Sequence, residues 1–325
     1  MLTRRIKDAA RILATPRVPK FISENFRKIT KRDSDMIEAS LRQNYYSADQ
    51  VYLSSDVGEN DLQDHLFRRV DIFRNTVIPW LISARSLKGA SVLEIGCGTG
   101  CSTITLAEQG ATVTAIDIHE PSLAVARERC QIYGLNADFF NMNATEVYKV
   151  FSGQHFDFII FFAALEHMTH DERMIAMHNT WNMLSKGDLW CVIETPNRLW
   201  FYDGHTSLLP FYHWLPDELA FKYSQFSPRQ HFCEQYREIS MEAMQDFLRR
   251  GRGVSFHEFE LAMDRVEKLD VVNSLPIFMR NQNILRRIQW KLTTESRYES
   301  FLARITPTVH RGFFQKNLDL IIKKG

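Results

Sequence analysis

The stretch that decides the fold of this chain is Val92-Leu93-Glu94-Ile95-Gly96-Cys97-Gly98-Thr99-Gly100. Its short apolar run predicts a buried strand. The three alternating glycines that follow predict a tight turn in which the backbone approaches a ligand closely. A helix pattern begins directly afterwards, over 101–109, so the turn would aim helix N-terminal amides at that ligand. The sequence therefore predicts a strand, a ligand-binding turn and a helix in succession.

A second apolar run begins at Ala111 and ends in a carboxylate, Asp117. In doubly wound folds, an acid at the tip of the second strand holds the ribose of a bound nucleotide. Dinucleotide-binding turns have the spacing G-x-G-x-x-G. Counted from Gly96, that spacing puts the third glycine at Cys101, whereas the chain has it at Gly100. The spacing thus disfavours a dinucleotide and favours another adenosine-containing cofactor.

The pattern E-x-G-x-G-x-G resembles motif I of the class I S-adenosylmethionine-dependent methyltransferases. Three later segments resemble the same family in order and spacing: 141–145 after the third strand, 156–168 with its Leu-Glu-His element after the fourth, and 184–197 around the fifth. The resemblance extends over 91–197, roughly a third of the chain. It implies a cofactor, S-adenosyl-L-methionine, but says little about the methyl acceptor.

The resemblance also implies which residues contact the cofactor. Asp117 would hold the ribose hydroxyls. Asn143 stands where the family has an acid that contacts the adenine amino group; its amide oxygen can accept the same hydrogen bond, although the charge is absent. The whole implied set is Glu94, Gly96, Cys97, Gly98, Thr99, Gly100, Asp117, Ile118, Asn143, Ala144 and Ala163.

Strand and helix patterns alternate through the middle of the chain, which predicts an α/β fold with helices on both faces of the sheet. We expect a doubly wound, Rossmann-like, mostly parallel seven-stranded sheet, and the resemblance implies that its last strand is antiparallel. The strands are predicted at 91–95, 112–116, 137–141, 158–162, 189–194, 269–272 and 318–323. Four regions follow: an N-terminal helical extension (1–84), the cofactor-binding core (85–200), a substrate lid or insertion (201–268), and the C-terminal part of the core with a helical insertion (269–325).

The segment after the fifth strand is dense in aromatic, proline and histidine residues. Because it follows a strand end that faces the ligand crevice, we interpret it as the substrate wall and lid; a packed loop without substrate contact is the alternative. Its large aromatic residues are Trp200, Tyr202, Phe211, Tyr212 and Trp214. Part of 45–52, ahead of the first strand, is expected to cap the cofactor pocket.

Methylation of a hydroxyl needs a base within hydrogen-bond reach, and histidine titrates near neutrality. The candidates are His167 in the Leu-Glu-His element and His205, with Asp203 as its orienting group; His213 lies nearby in sequence. The alternative for either histidine is a structural role in fixing the lid. No set of histidines, cysteines and acids has metal-ligand spacing in the sequence, so no metal is expected.

Composition restricts the other possibilities. The net charge of +1 over 325 residues provides no field that would attract nucleic acid. Five cysteines without paired spacing indicate reduced thiols and a cytoplasmic protein. The first twenty residues are basic and amphipathic, with Arg4, Arg5, Lys7, Arg11, Arg17 and Lys20. They predict a helix packed on the domain, a peripheral contact with an anionic membrane surface, or a transit peptide.

Three functions remain open. The first is O-methylation of a hydroxyl on a sugar of a surface glycan or a related polar small molecule, supported by the lid aromatics. The second is methylation of a lipid, quinone or other small metabolite. The third is a non-catalytic partner subunit with the same fold. Nucleic acid is not expected as the acceptor, because 163–166 reads Ala-Ala-Leu-Glu instead of the Asp/Asn-Pro-Pro-Tyr/Phe of amino-methylating DNA and RNA enzymes of this fold.

Overall fold

The computed structural model describes residues 23, 25–47 and 50–325. The basic segment 1–20, and with it the three interpretations of the N-terminus, lies outside the described residues. Within the described part of the chain, no helix combines the length and the apolar character needed to cross a bilayer.

A seven-stranded sheet forms the centre of the molecule. Its strands are β1 (Ser91–Ile95), β2 (Thr112–Asp117), β3 (Asp138–Asn141), β4 (Phe158–Phe162), β5 (Leu189–Pro196), β6 (Asp270–Ser274) and β7 (Asn317–Lys323). They lie in the order β3-β2-β1-β4-β5-β7-β6. The first five strands are parallel, and β7 is antiparallel to both β5 and β6. The predicted fold class, the strand number and the antiparallel last strand are confirmed.

Helices cover both faces of the sheet. The N-terminal layer contains α1 (Lys31–Ser40), α2 (Gln50–Leu53), α3 (Asp56–Gln63), α4 (Arg69–Ile72) and α5 (Ile78–Ala84), with π-helical turns at 41–45, 64–68 and 73–77. The helices between the parallel strands are α6 (Cys101–Glu108), α7 (Glu120–Tyr133), α8 (Val147–Phe151) and α9 (His170–Met183). The C-terminal insertion contains α14 (Leu275–Asn281), α15 (Ile284–Lys291) and α16 (Thr294–Ile305).

The segment between β5 and β6 folds into α10 (Asp217–Tyr223), α11 (Gln230–Gln235), α12 (Met241–Leu248) and α13 (Phe256–Ala262). The chain is not one continuous helix over 234–249, because α11 ends at Gln235 and α12 begins at Met241. The hydroxyl of Ser240 accepts a hydrogen bond from the backbone N–H of Ala243 at 3.0 Å. This N-cap starts α12 as a new helix.

Among the described residues, the hydrophobic core divides into three clusters. Two flank the sheet, whose strand β4 is buried along its whole length. The third lies within the segment between β5 and β6, which is called the lid segment below. Its aromatic side chains pack on one another: Tyr212, Phe221, Phe232, Tyr236 and Phe247. Because this segment has a core of its own, burial of its aromatics does not depend on a bound substrate.

Candidate functional site

A cavity of about 550 Å³ opens at the carboxyl ends of β1, β2, β4 and β5. This is where ligands bind in open α/β sheets, and its volume is in the usual range for small-molecule sites. The N-terminal layer closes one side of it with Tyr45, His65 and Arg69. Tyr45 belongs to the segment expected to cap the cofactor pocket.

The glycine-rich turn forms the floor of this cavity. Gly96, Cys97, Gly98 and Thr99 all line it, but Gly100 does not. The implied cofactor contact of Gly100 stays a prediction. Gly100 has φ +77°, and a Cβ there would lie 2.9 Å from the Cα and Cβ atoms of Ala126. Its role is to let α6 start close against α7.

Glu94 does not line the cavity either, and its implied cofactor contact stays a prediction. Its side chain is fully buried and accepts hydrogen bonds from the hydroxyls of Ser102 and, at 2.6 Å, Thr103. Glu94 thus fastens β1 to the first turn of α6. Burial raises the pKa of Glu94 to about 7, against the effect of the two hydroxyl hydrogen bonds.

We expect Glu94→Gln to change how stability depends on pH. A carboxyl whose folded pKa is about 7 and whose usual pKa is 4.5 contributes stability that is complete below pH 4.5. That contribution is lost as the pH rises through 7, by roughly 3 kcal/mol. Urea unfolding at pH 5 and pH 8 should show a smaller loss for Glu94→Gln than for wild type. The exposed Glu146→Gln is the control; equal losses in all three proteins would contradict the assignment.

Asp117 lies at the end of β2 and lines the cavity. Its Oδ2 accepts a hydrogen bond from the backbone N–H of Gly98 at 2.8 Å, and its Oδ1 accepts one from that of His119 at 2.9 Å. These bonds fix the carboxylate beside the glycine turn, and each oxygen keeps capacity for a further donor. The arrangement fits a pair of ribose hydroxyls.

The remaining implied cofactor contacts also line the cavity: Ile118, Asn143, Ala144 and Ala163. Ile118 is an apolar side chain with 64% of its surface exposed. Asn143 does not have a free amide oxygen, contrary to the expectation from the sequence. Its Oδ1 already accepts hydrogen bonds from the backbone N–H and the hydroxyl of Thr145, both at 2.9 Å. Its Nδ2 points toward Glu172, so the amide oxygen is not the free acceptor that the sequence suggested.

His167 and His205 both line the cavity, and their ring centroids are 6.1 Å apart. Nδ1 of His167 lies 2.9 Å from the carbonyl oxygen of Arg249. Because a carbonyl only accepts, this nitrogen carries the proton and Nε2 is left as an acceptor. Nδ1 of His205 lies 2.9 Å from the hydroxyl of Thr206. Burial and the proximity of His167 lower the pKa of His205 to about 4, so its imidazole is neutral at physiological pH.

Asp203 does not orient the imidazole of His205 and does not line the main cavity. Its carboxylate accepts hydrogen bonds from the backbone N–H groups of 205–207, and Oδ1 lies 3.3 Å from Nε2 of His213. Although burial opposes it, the His213 imidazole and these amides hold the pKa of Asp203 below its usual range. Asp203 is therefore a buried acceptor of hydrogen bonds within the lid segment, and its expected catalytic role stays a prediction without the orienting contact to the His205 imidazole.

The lid aromatics also lie elsewhere than expected. Trp200 and Tyr212 are buried in packing, with exposed fractions of 3% and 0%. Nε1 of Trp200 donates to the carbonyl oxygen of Phe314 at 3.1 Å. Within 198–214, only His205 lines the main cavity. The lid segment thus contributes a histidine and, from its later part, Arg249 to the cavity. Trp200 and Tyr212 are buried in the fold, whereas Tyr202, Phe211 and Trp214 are partly exposed.

Several cavity residues were not identified from the sequence. Glu194 lies on β5 beside a register shift and has φ +62°, a backbone strain that often marks functional positions. Burial raises its pKa, while Arg69 opposes this. Glu172 binds Arg249 through two hydrogen bonds of 2.7 Å. An acid at the end of an apolar strand was a visible signal for Glu194; nothing in the sequence indicated the Glu172–Arg249 pair.

Two groups of side chains in the described residues are close enough to hold a metal ion, although none was expected from the sequence. One is Glu166, His167 and His205 at the cavity, and the other is His155, Asp157 and Asp188. The first group joins residues that are far apart in the chain, so sequence spacing could not show it.

Comparison with known proteins agrees with this geometry. Residues 92–187 match the model of a family described as a methyltransferase domain. Among curated relatives, a ubiquinone biosynthesis O-methyltransferase from Pseudomonas paraeruginosa is 35% identical over 28% of this chain and 39% of its own length. A cypemycin N-terminal methyltransferase from Streptomyces is 45% identical over 16% of this chain and 22% of its own length. This chain spans about two fifths of the length of the first of these relatives.

One solved structure that is similar to part of this chain is the magnesium protoporphyrin IX methyltransferase of Synechocystis PCC 6803 with bound S-adenosylmethionine. The identity is 20%, the TM-score is 0.37, and the similarity covers 53% of this chain and 80% of that one. The sheet and the glycine turn define the class I methyltransferase fold. Residues 92–187 are a methyltransferase domain of the S-adenosylmethionine-dependent class.

Proposed function

We propose that this protein transfers the methyl group of S-adenosylmethionine to a hydroxyl of a polar small molecule, with a sugar of a surface glycan as the leading acceptor. The observation that carries this proposal is the placement of Asp117, the glycine turn and two histidines around one cavity. The turn and Asp117 would hold the cofactor, and the histidines would face its reactive end.

The transfer needs few chemical groups. The acceptor oxygen attacks the methyl carbon, the carbon–sulfur bond breaks with its electron pair on sulfur, and the hydroxyl proton leaves. In-line positioning supplies much of the rate. A neutral imidazole can take the proton, and Nε2 of His167 and the neutral ring of His205 are both available in the cavity.

The cavity beside the histidines is polar. Glu172, Glu194 and Arg249 line it together with the two imidazoles. These groups can hydrogen-bond the several hydroxyls of a sugar, which supports a polar acceptor. Stacking of sugar rings on Trp200 or Tyr212 does not add support, since both side chains are buried in packing.

A quinone or another aromatic metabolite is the second candidate, because several curated relatives are named ubiquinone biosynthesis O-methyltransferases. The family match covers 92–187, which contains the glycine turn and Asp117 but not His205 or Arg249. It therefore carries little information about the acceptor. Transfer from labelled cofactor to a panel of oligosaccharides, nucleotide sugars and catechols would distinguish the two candidates.

Calorimetric titration with S-adenosylmethionine and its demethylated product tests the cofactor assignment. Wild type should bind both, and Asp117→Ala should weaken binding by roughly 1.5–3 kcal/mol because charge-assisted hydrogen bonds are lost. The exposed Asp138→Ala, on the neighbouring strand, is the control. If wild type binds neither compound below millimolar concentrations, or if Asp117→Ala binds as wild type does, the proposal fails.

A further inference from the structure

Glu166 lies next to the cavity, and one of its two carboxylate oxygens has no hydrogen-bond partner among the described residues. It is fully buried on the turn 165–167 that follows β4. Its Oε2 accepts a hydrogen bond from the hydroxyl of Thr195 at 2.9 Å. Its Oε1 has no hydrogen-bond partner among the residues that the structure describes. A buried carboxylate oxygen without a partner is costly and calls for an explanation.

The two cavity histidines are arranged as metal-binding histidines usually are. In metal sites, one ring nitrogen typically donates to a carbonyl or other oxygen and leaves the second as the ligand. Nδ1 of His167 is bound to the carbonyl of Arg249, and Nδ1 of His205 to the hydroxyl of Thr206. The potential ligand atoms of Glu166, His167 and His205 lie within 4.8 Å of one another. Each histidine thus has its Nδ1 engaged and leaves Nε2 as the potential ligand atom.

We propose that Glu166, His167 and His205 bind a divalent transition-metal ion in the wall of the cavity. Two imidazoles and one carboxylate form a donor set that suits Zn²⁺ and Fe²⁺, and a site with three protein ligands keeps positions open for a further ligand. His167 and His205 both line the cavity, so an open position would face the acceptor.

Buried carboxyls on one side of the site favour a cation, although Arg69 and Arg249 also line the cavity. Asp319 is buried near Glu166 and accepts a hydrogen bond from the backbone N–H of Glu194 at 2.6 Å. Burial and the proximity of both glutamates raise the pKa of Asp319 to about 7. Arg173 is also close to Glu166, but it forms an ion pair with Glu258. Its positive charge is therefore shared with Glu258 and does not serve Glu166 and Asp319 only. A bound divalent ion would compensate the clustered carboxylates.

This site rests on the proposed function and changes how the acceptor would be activated. The acceptor hydroxyl would take the open position, where the ion acts as a Lewis acid and lowers the pKa of the hydroxyl. The proton of the hydroxyl would then leave to solvent, the oxygen would attack the methyl carbon, and the electron pair of the carbon–sulfur bond would stay on sulfur. In this arrangement the two imidazoles are ligands, and neither serves as the base.

The second group, His155, Asp157 and Asp188, differs in its surroundings. Arg85 lies 3.1 Å from a carboxylate oxygen of each aspartate, and His155 lies 3.0 Å from Asp188. A guanidinium already compensates these carboxylates. Asp157 and Asp188 precede β4 and β5, at the end of the sheet opposite the cavity. This group therefore provides a control that removes a histidine from a different cluster.

Titration of the full chain with Co²⁺, followed by its visible absorption, tests the proposal. Wild type should bind one equivalent, and Zn²⁺ should displace it. His167→Ala and His205→Ala should each weaken binding at least about 100-fold, whereas His155→Ala should leave it unchanged. Calorimetric binding of S-adenosylmethionine, measured on the same samples, reports folding and tests the proposed function independently of the metal.

Two outcomes would overturn the metal site. In the first, wild type binds Co²⁺ no more tightly than the variant in which both His167 and His205 are replaced by alanine. In the second, Co²⁺ binding disappears in His155→Ala. If the alanine variants do not fold, NMR of histidine-labelled wild type replaces them. Zn²⁺ should then shift the signals of two of the 11 imidazoles as direct ligands. A shift of none, or of only one, would equally overturn the site.

Discussion

Replacing His167 or His205 with alanine should lower turnover about 10²–10⁴-fold and change the dissociation constant of the cofactor little. This is the range for loss of a general base, and loss of a metal ligand would also remove activation of the hydroxyl. Both side chains line the cavity. Neither belongs to the glycine turn or to the ribose position at Asp117, so cofactor binding should not depend on them.

Single-turnover rates with a validated acceptor, together with calorimetry for the cofactor, measure the two effects separately. His170→Ala is the matched control, since His170 is exposed at the start of α9. Near wild-type turnover in both cavity variants would show that positioning alone explains the rate. An equal loss of cofactor affinity in both would show that these histidines belong to the cofactor site.

Arg173→Met should destabilise the fold by about 3–5 kcal/mol, the usual cost of removing one partner of a buried ion pair. Arg173 and Glu258 are almost fully buried, and their charged atoms are 2.7 Å apart. The guanidinium also donates to the carbonyl oxygens of Leu165 and Arg252, at 2.9 and 3.2 Å. It therefore connects α9, the turn that carries His167, and the lid segment.

Urea unfolding curves measure this effect. The double variant with Glu258→Gln should recover part of the loss, because it no longer buries an unpaired charge. Arg127→Ala is the control: its partner Glu120 is exposed, and exposed pairs contribute about 0–1 kcal/mol. A loss for Arg173→Met as small as that of the control would show that the pair does not hold the lid to the core.

The sheet could be predicted because its strands are short apolar runs with turn residues at their ends. The bounds of β1 and β4 agree with the sequence pattern. Asp117 and the glycine turn could be placed for the same reason, because they directly follow strands. Gly100 and Glu94 are next to these residues in sequence, yet they point into helix packing instead of the cavity. Local patterns locate a turn, but they do not tell which of its residues face the ligand.

The acceptor side of the cavity was less predictable because tertiary contacts assemble it. His205 comes close to His167 only because the lid segment returns over β4 and β5. The aromatic content of the lid showed that large side chains must be buried, but not where; Tyr212 and Phe247 pack in a cluster of their own. Glu194 lines the cavity beside the register shift in β5. The acid itself is visible in the sequence, but no sequence pattern signals the register shift.

The contact between Gly100 and Ala126 has a consequence for how this sequence can diverge. Gly100 cannot gain a side-chain carbon unless Ala126 moves, since that carbon would lie 2.9 Å from Ala126. At Gly98, an added carbon meets no atom within 4 Å and costs mainly backbone strain, about 1–2 kcal/mol. Selection for folding alone would therefore preserve Gly100 and let Gly98 drift. Among diverged copies, a retained glycine at 98 would mark those still under selection to bind the cofactor.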